Sequence, residues 1–230
     1  LNGTKIFISN GGQAHTYVVT AKTRPGRGAR GMSAFIIEKD TPGFSFGKNE
    51  EKMCFHAQAN CELIFQDCRI PAENLLGREN RGFRVAMETL DVGRIGMAVG
   101  ACGLAKAAFE KAVEYAKQRE QFGQRIANFQ AIQHKLADMA TEIEAAELLM
   151  LKAAWLRDNN KPFGEIASMA KLYSSEMCNR VTNKAVQIHG GYGLMQEYVV
   201  ERYLRESKLY EIVEGTSEIQ RNVIAGHILK

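Results

Sequence analysis

A chain of 230 residues, 45% hydrophobic and 24% charged, carries enough apolar material for one large or two small folded domains, which excludes disorder as its default state. Its net charge of +4 is mixed along the chain rather than gathered into the basic stripe that binds nucleic acid, and no apolar run reaches the length of a membrane span. The mild basic surplus suits a ligand carrying phosphates.

Five cysteines, Cys54, Cys61, Cys68, Cys102 and Cys178, are odd in number and include no C-x-x-C pair. They read as reduced, mostly buried thiols of a cytosolic protein rather than a zinc site or disulfide framework. The opening Leu1-Asn2-Gly3-Thr4-Lys5 has neither an initiator Met nor a signal pattern and reads as the start of a piece of something longer.

Residues 1–79 read as β structure. Lys5–Ser9 is a short strand running into the Asn10-Gly11-Gly12 turn. Thr16–Ala21 and Ser33–Glu38 are rich in β-branched and aromatic residues, with Pro25–Gly31 a loop between them. Thr41-Pro42-Gly43 breaks the next segment, and Cys61–Phe65 is a further strand. Short strands with frequent turns suggest an antiparallel sheet or barrel.

After Gly82 the period becomes helical. Phe83–Lys117 has apolar and small residues at three and four spacing. Phe129–Leu156 places Ile132, Leu136, Met139, Ile143, Ala146, Met150 and Ala153 on one stripe. Pro162 suits a first helical turn, and Phe163–Ile188 is the next helix. A shorter helix spans roughly Glu197–Leu209, and the last starts near Ser217, where Ser217-x-x-Gln220 matches a capping box. Long amphipathic helices joined by short loops predict an antiparallel bundle over residues 80–230.

Four segments hold candidate chemistry. Glu214 precedes Gly215-Thr216-Ser217 at the start of the last helix. A carboxylate there has a plain explanation in the helix dipole, but Gly215 permits close approach of a ligand, and Thr216 and Ser217 offer hydroxyls and free N–H groups. Gln187-Ile188-His189-Gly190-Gly191-Tyr192-Gly193 reads equally as a helix C-cap or as a loop that a nucleotide lies against, with His189 a packing residue. In Arg119-Glu120-Gln121-Phe122-Gly123, Arg119 is either half of a solvated surface pair or a fork-shaped phosphate donor. In Asp91-Val92-Gly93-Arg94, an arginine inside an apolar helix calls for a carboxylate partner.

The order and spacing of L-N-G-T-K-x-x-I-S-N at Leu1–Asn10, C-E-L-I-F-Q-D-C-R-I-P at Cys61–Pro71, R-E-Q-F-G, Q-I-H-G-G-Y-G and E-G-T-S-E-I-Q-R resemble the carboxyl-terminal part of the acyl-CoA dehydrogenases, especially the short-chain or butyryl-CoA type, over essentially the whole chain. The resemblance implies an α+β fold: the second part of a middle β domain, here a partial antiparallel β-barrel over residues 1–79, followed by a four-helix bundle over residues 80–230. It also implies that an amino-terminal helical domain and the first half of the β domain lie outside this chain. Such a piece is expected to expose a sheet edge and to bind FAD poorly by itself.

By the same resemblance the activity is FAD-dependent α,β-dehydrogenation of a short-chain acyl-CoA to trans-2-enoyl-CoA, with Glu214 removing the α-proton. Phe7, Ile8, Ser9, Arg119, Gln130, Gln187, Ile188, His189, Gly190, Gly191, Thr216, Ser217 and Glu218 match FAD contacts. Asp91, Val92, Gly93, Arg94 and Gly215 match acyl-CoA contacts. In relatives whose base lies on the first long helix, a Glu precedes the arginine; here that position is Gly93, which leaves Glu214 as the base. The implied acceptor is electron-transferring flavoprotein, the assembly a homodimer or homotetramer, and the compartment bacterial cytoplasm or mitochondrial matrix. Nucleic acid, metal and a membrane span are not expected. The rival reading is a non-catalytic relative of this fold that assembles subunits or binds DNA.

Overall fold

The computed structural model describes residues 1–229, which divide into two compact units, Leu1–Thr89 and Leu90–Lys230, with the division falling inside the first long helix.

The first unit holds two three-stranded antiparallel sheets. In one, β1 (Gly3–Ser9) and β4 (Phe44–Asn49) flank β5 (Asn60–Phe65); in the other, β2 (Thr16–Lys22) and β6 (Leu75–Leu76) flank β3 (Met32–Glu38). Alternation along β2 sends Tyr17 and Val19 inward and Thr16 and Val18 outward. The inward residues of β2 and β3 share a core with Phe44, Cys61, Leu63 and Phe65 of the other sheet. The Phe44 and Phe65 rings stack with centroids 4.8 Å apart, and Tyr17 meets Phe44 edge-on at 5.2 Å. Each such buried aromatic contributes roughly 1.5–3 kcal/mol. The β4 and β6 strands went unread in the sequence because Phe44–Asn49 carries Gly47 and three polar residues, and β6 is only two residues long.

The second unit is helical: α1 (Gly82–Gln118, entered from the first unit), α2 (Gln130–Asp158), α3 (Gly164–His189), α4 (Val200–Ile212) and α5 (Ser217–Ile228). A small hairpin of β7 (Glu120–Gln121) and β8 (Gln124–Arg125) separates α1 from α2. α3 packs against α2, α4 and α5. Fully buried alanines at positions 98, 101, 105, 108, 112 and 116 recur every three or four residues along α1, giving it a buried face of small side chains. Ile95 and Ala98 of α1 meet Ala153 of α2 and Ala167 and Ala170 of α3 in one cluster. The α2 stripe expected from periodicity is realised at Met139, Ile143, Ala146 and Ala153.

Three readings need correction. Pro162 lies one residue before the Phe163 N-cap rather than inside the first turn of α3. The N-cap of α5 is Thr216, whose hydroxyl accepts from the Ile219 N–H at 3.3 Å; Ser217 is already helical, and the Gln220 side chain goes elsewhere. Among the described residues α1 is long and apolar enough, by length and composition, to cross a membrane; much of that apolarity is the small alanine stripe buried within the unit. All five cysteines are buried.

Candidate active site

α4 and α5 are joined by a turn in which two successive residues take left-handed backbone angles, Glu214 at φ +56° and Gly215 at φ +95°. Glycine accepts this freely, whereas for glutamate it costs about 1–2 kcal/mol. Side chains from two other places in the unit hold the turn. Lys171 of α3 donates its Nζ to the Gly215 carbonyl at 2.6 Å. Gln220 of α5 donates Nε2 to the carbonyls of both Glu214 and Gly215 at 3.0 Å each. Both donors are buried, at 1% and 0% exposure. In the first turn of α5, the Glu218 carboxyl is held below its usual value by its own backbone N–H and the Thr216 hydroxyl.

The Glu214 carboxyl is half-buried, and its Oε2 makes no hydrogen bond within the described residues. Burial raises its pKa above the ordinary carboxylate value; Arg94 and then Lys171 oppose that rise. Gly93 of α1 lies against it. A Cβ at position 93 would stand 2.5 Å from Oε2, so any side chain there displaces the carboxylate. Arg94 is 5% exposed, bonds Asp91 Oδ1 at 2.6 Å through Nη1, and reaches Ser168 Oγ at 3.3 Å. This is the ion pair the sequence called for. Lys171 is driven down to about 8 by burial and by Arg94. Ser217 Oγ, Gln220 Oε1 and Arg94 Nε are also buried and unpartnered within the described residues. Leaving such atoms unpaired costs about 1–3 kcal/mol each, and most proteins avoid it. Gathered around one strained turn, they mark a place built to meet something else.

The second feature is a cleft of about 510 Å³ where α3 ends. Tyr115, Arg119, Ile188, His189, Gly190, Gly191 and Tyr192 line it. Gly190 stops α3 at φ +60°, baring backbone on the cleft wall. Arg119 sits between the end of α1 and the β7–β8 hairpin, with its guanidinium 5.3 Å from the Tyr192 ring centroid. His189 is buried, stacks on Tyr115 at 4.3 Å, and places Nδ1 2.8 Å from the Ala185 carbonyl; burial lowers its pKa. It both packs on Tyr115 and lines the cleft.

The structure thus brings Asp91, Gly93, Arg94, Glu214 and Gly215 together, with Thr216, Ser217 and Glu218 alongside, and gathers Arg119 with Ile188–Gly191 at the cleft. Gln130 and Gln187 are exposed and do not line the cleft, and Val92 faces outward. Phe7, Ile8 and Ser9 belong to the first unit, on β1, where the pairing with β5 shifts between Lys5 and Ile8; Phe7 takes φ +59° and is 68% exposed. Lys171 and Gln220 escaped the sequence reading. A lysine on the buried stripe of α3, flanked by Ala167, Ala170 and Ser174, was the available signal for the first. The capping-box match misdirected the second.

A half-buried carboxylate with a raised pKa, flanked by two buried basic side chains and a residue with no side chain, is a group chemically able to take up a proton, set on a helical scaffold. The chain belongs to the acyl-CoA dehydrogenase family: residues 80–229 match the acyl-CoA dehydrogenase C-terminal domain and residues 1–68 the middle domain. Over all 230 residues it is 52% identical to the short-chain specific acyl-CoA dehydrogenase of Megasphaera elsdenii, spanning 60% of that protein. It is 51% identical to the caffeyl-CoA reductase–Etf complex subunit CarC of Acetobacterium woodii, spanning 61% of it. The solved butyryl-CoA dehydrogenase from Megasphaera elsdenii superposes with a TM-score of 0.98 at 52% identity, over all of this chain and 60% of that one. The acyl-CoA dehydrogenase fold, with five helices and antiparallel sheets, is therefore the fold of this chain.

Proposed function

We propose that this chain is part of an FAD-dependent acyl-CoA dehydrogenase acting on short-chain thioesters, with Glu214 as its base. The observation that carries the reading is the Glu214 carboxylate itself: raised in pKa, with an unpartnered buried oxygen, in space that Gly93 leaves open. A free carboxylate is a weak base for an α-proton, and burial strengthens it. Arg94 and Lys171 oppose that rise and favour the ionised form that accepts a proton. The α-proton passes to a Glu214 oxygen, the β-hydrogen leaves as hydride, and the substrate becomes a trans-2-enoyl thioester. FAD, when bound, supplies the hydride acceptor. In the reverse direction, protonated Glu214 returns the proton to the same carbon, which accommodates relatives named as reductases.

The residues present fit FAD. Arg119, with the bared backbone of Gly190 and Gly191 and the aromatic faces of Tyr115 and Tyr192, suits an adenosine and pyrophosphate. Ser217 has a buried hydroxyl without a partner, and Thr216 and Glu218 stand beside it. We assign Phe7, Ile8, Ser9, Gln130, Gln187 and His189 to the same cofactor, and Asp91, Val92, Gly93, Arg94 and Gly215 to acyl-CoA, on the family motif.

The finer architecture is a partial β-barrel and a four-helix bundle divided at residue 80, the bundle formed by α1, α2, α3 and their neighbours. The assembly is a homodimer or homotetramer; exposed Leu148, Leu151 and Trp155 on one side of α2 support self-association. The Etf complex of the Acetobacterium relative supports electron-transferring flavoprotein as acceptor. The burial of the α1 alanines supports a protein without a membrane span; bacterial cytoplasm or mitochondrial matrix is assigned on the family motif.

The deciding experiment mixes the full-length protein with butyryl-CoA and follows bleaching of its flavin. Glu214→Gln is expected to retain FAD and lose bleaching by about 10³-fold or more. Bleaching at the unaltered rate refutes the assignment.

A further inference from the structure

The turn that carries Glu214 is held by side chains that no motif reading assigns. Its two consecutive carbonyls accept three hydrogen bonds, one from Lys171 and two from Gln220. Glutamate does not stay in the left-handed region without outside restraint. If the turn relaxed, the backbone at position 214 would rotate and carry its carboxylate away from Gly93. A buried lysine is an expensive way to bond one carbonyl, since a neutral donor would avoid removing a charge from water. The charge has a second use: Lys171 and Arg94 are the two cations acting on the Glu214 carboxylate.

We propose that Lys171 and Gln220 are positioning residues that clamp the Glu214–Gly215 turn and aim the Glu214 carboxylate, Lys171 also bringing a positive charge to its neighbourhood. This deepens the reading of Glu214 as base and rests on it. The two members divide the task. Gln220 is neutral and acts only on geometry. Lys171 acts on geometry and on charge. Substituting each by an apolar residue of similar length therefore produces different signatures.

The test uses the full-length protein with its cofactor and three variants: Lys171→Met, Gln220→Met and, as control, Glu214→Gln. Two quantities are read: steady-state kcat and KM with butyryl-CoA, and the carboxyl titration of Glu214 by ¹³C NMR, its signal assigned by its loss in Glu214→Gln. Both clamp variants are expected to lower kcat by roughly 10- to 100-fold, the effect of moving a reacting group by about 1 Å, with KM within about twofold. Only Lys171→Met is expected to raise the Glu214 pKa. A folded Lys171→Met protein with an unaltered titration curve and unaltered kcat overturns the proposal. Should that variant not fold, Gln220→Met decides, and unaltered kcat there overturns it equally. If Glu214→Gln keeps full activity, the base reading fails, yet the titration in Lys171→Met still judges the clamp.

Discussion

The Glu214 turn and the Gly190 cleft begin alike. Each follows the end of a helix, and each bends the chain through a left-handed residue. They differ in what holds the bend. At Gly190 the conformation costs little, nothing charged is buried, and the surroundings are aromatic rings and one half-exposed arginine. At Glu214 the same kind of bend is imposed on a residue with a side chain, and two buried donors are needed to hold it. A place that only has to lie against a ligand is built from glycine and rings. If Glu214 is the base we propose, its turn has to hold a titrating group off its relaxed geometry, and buried charge serves that end.

That contrast is open to attack in descending order of effect. Loss of the carboxyl in Glu214→Gln strikes the proton-transfer turn alone and is the largest, with FAD retained. Next comes Gly93→Ala. The added Cβ meets Oε2 at 2.5 Å, so the carboxylate must shift; kcat for butyryl-CoA is expected to fall about tenfold or more, with bound flavin unaffected. A Gly93→Ala enzyme of normal kcat would break the claim that this glycine makes room for the base. Arg119→Ala tests the other side. It removes a charge and a contact with the Tyr192 ring, so FAD retention on dialysis should weaken by about tenfold while kcat of the fully loaded enzyme holds. A fall in kcat without loss of FAD would erase the distinction between the two places.

The smallest effect is on stability. Folding lowers the Lys171 pKa from its ordinary 10.5 to about 8. Between those values the unfolded chain holds a proton that the folded chain has released, so this group makes stability rise as pH increases. Below about 8 both forms hold the proton, and the contribution is flat. Urea midpoints of the parent relative to Lys171→Met, taken from pH 7 to 10, should therefore move upward above about pH 8. A difference that is level across that range would mean that the lysine is not desolvated.

Much of the fold was legible because it rests on local period. The β-branched and aromatic residues of Thr16–Ala21 favour an extended strand, and the three-and-four spacing in α2 requires only a helix that buries one face. Arg94 and Asp91 were legible as a pair because they lie three apart on one helix. Gly93 was singled out from the family motif, and the structure shows that it lies against the Glu214 carboxylate. Gln220 was misread for the opposite cause. Its spacing from Ser217 satisfies a local rule, yet its amide is taken by carbonyls that the tight Glu214 turn brings within reach. Lys171 had no local signal strong enough, since its partner is 44 residues away.

Alone, the order of residues determined the strand-rich first part, the helices after Gly82, the buried stripes, and the identity of Glu214, Arg119 and the glycine run as the places to look. Those follow from short-range periodicity and from motifs. Tertiary structure decided which of these groups face one another, that one oxygen of the half-buried Glu214 has no hydrogen bond among the described residues, and that a lysine and a glutamine from separate helices hold its turn. Burial and long-range hydrogen bonds depend on which segments pack together, and no spacing along the chain encodes that.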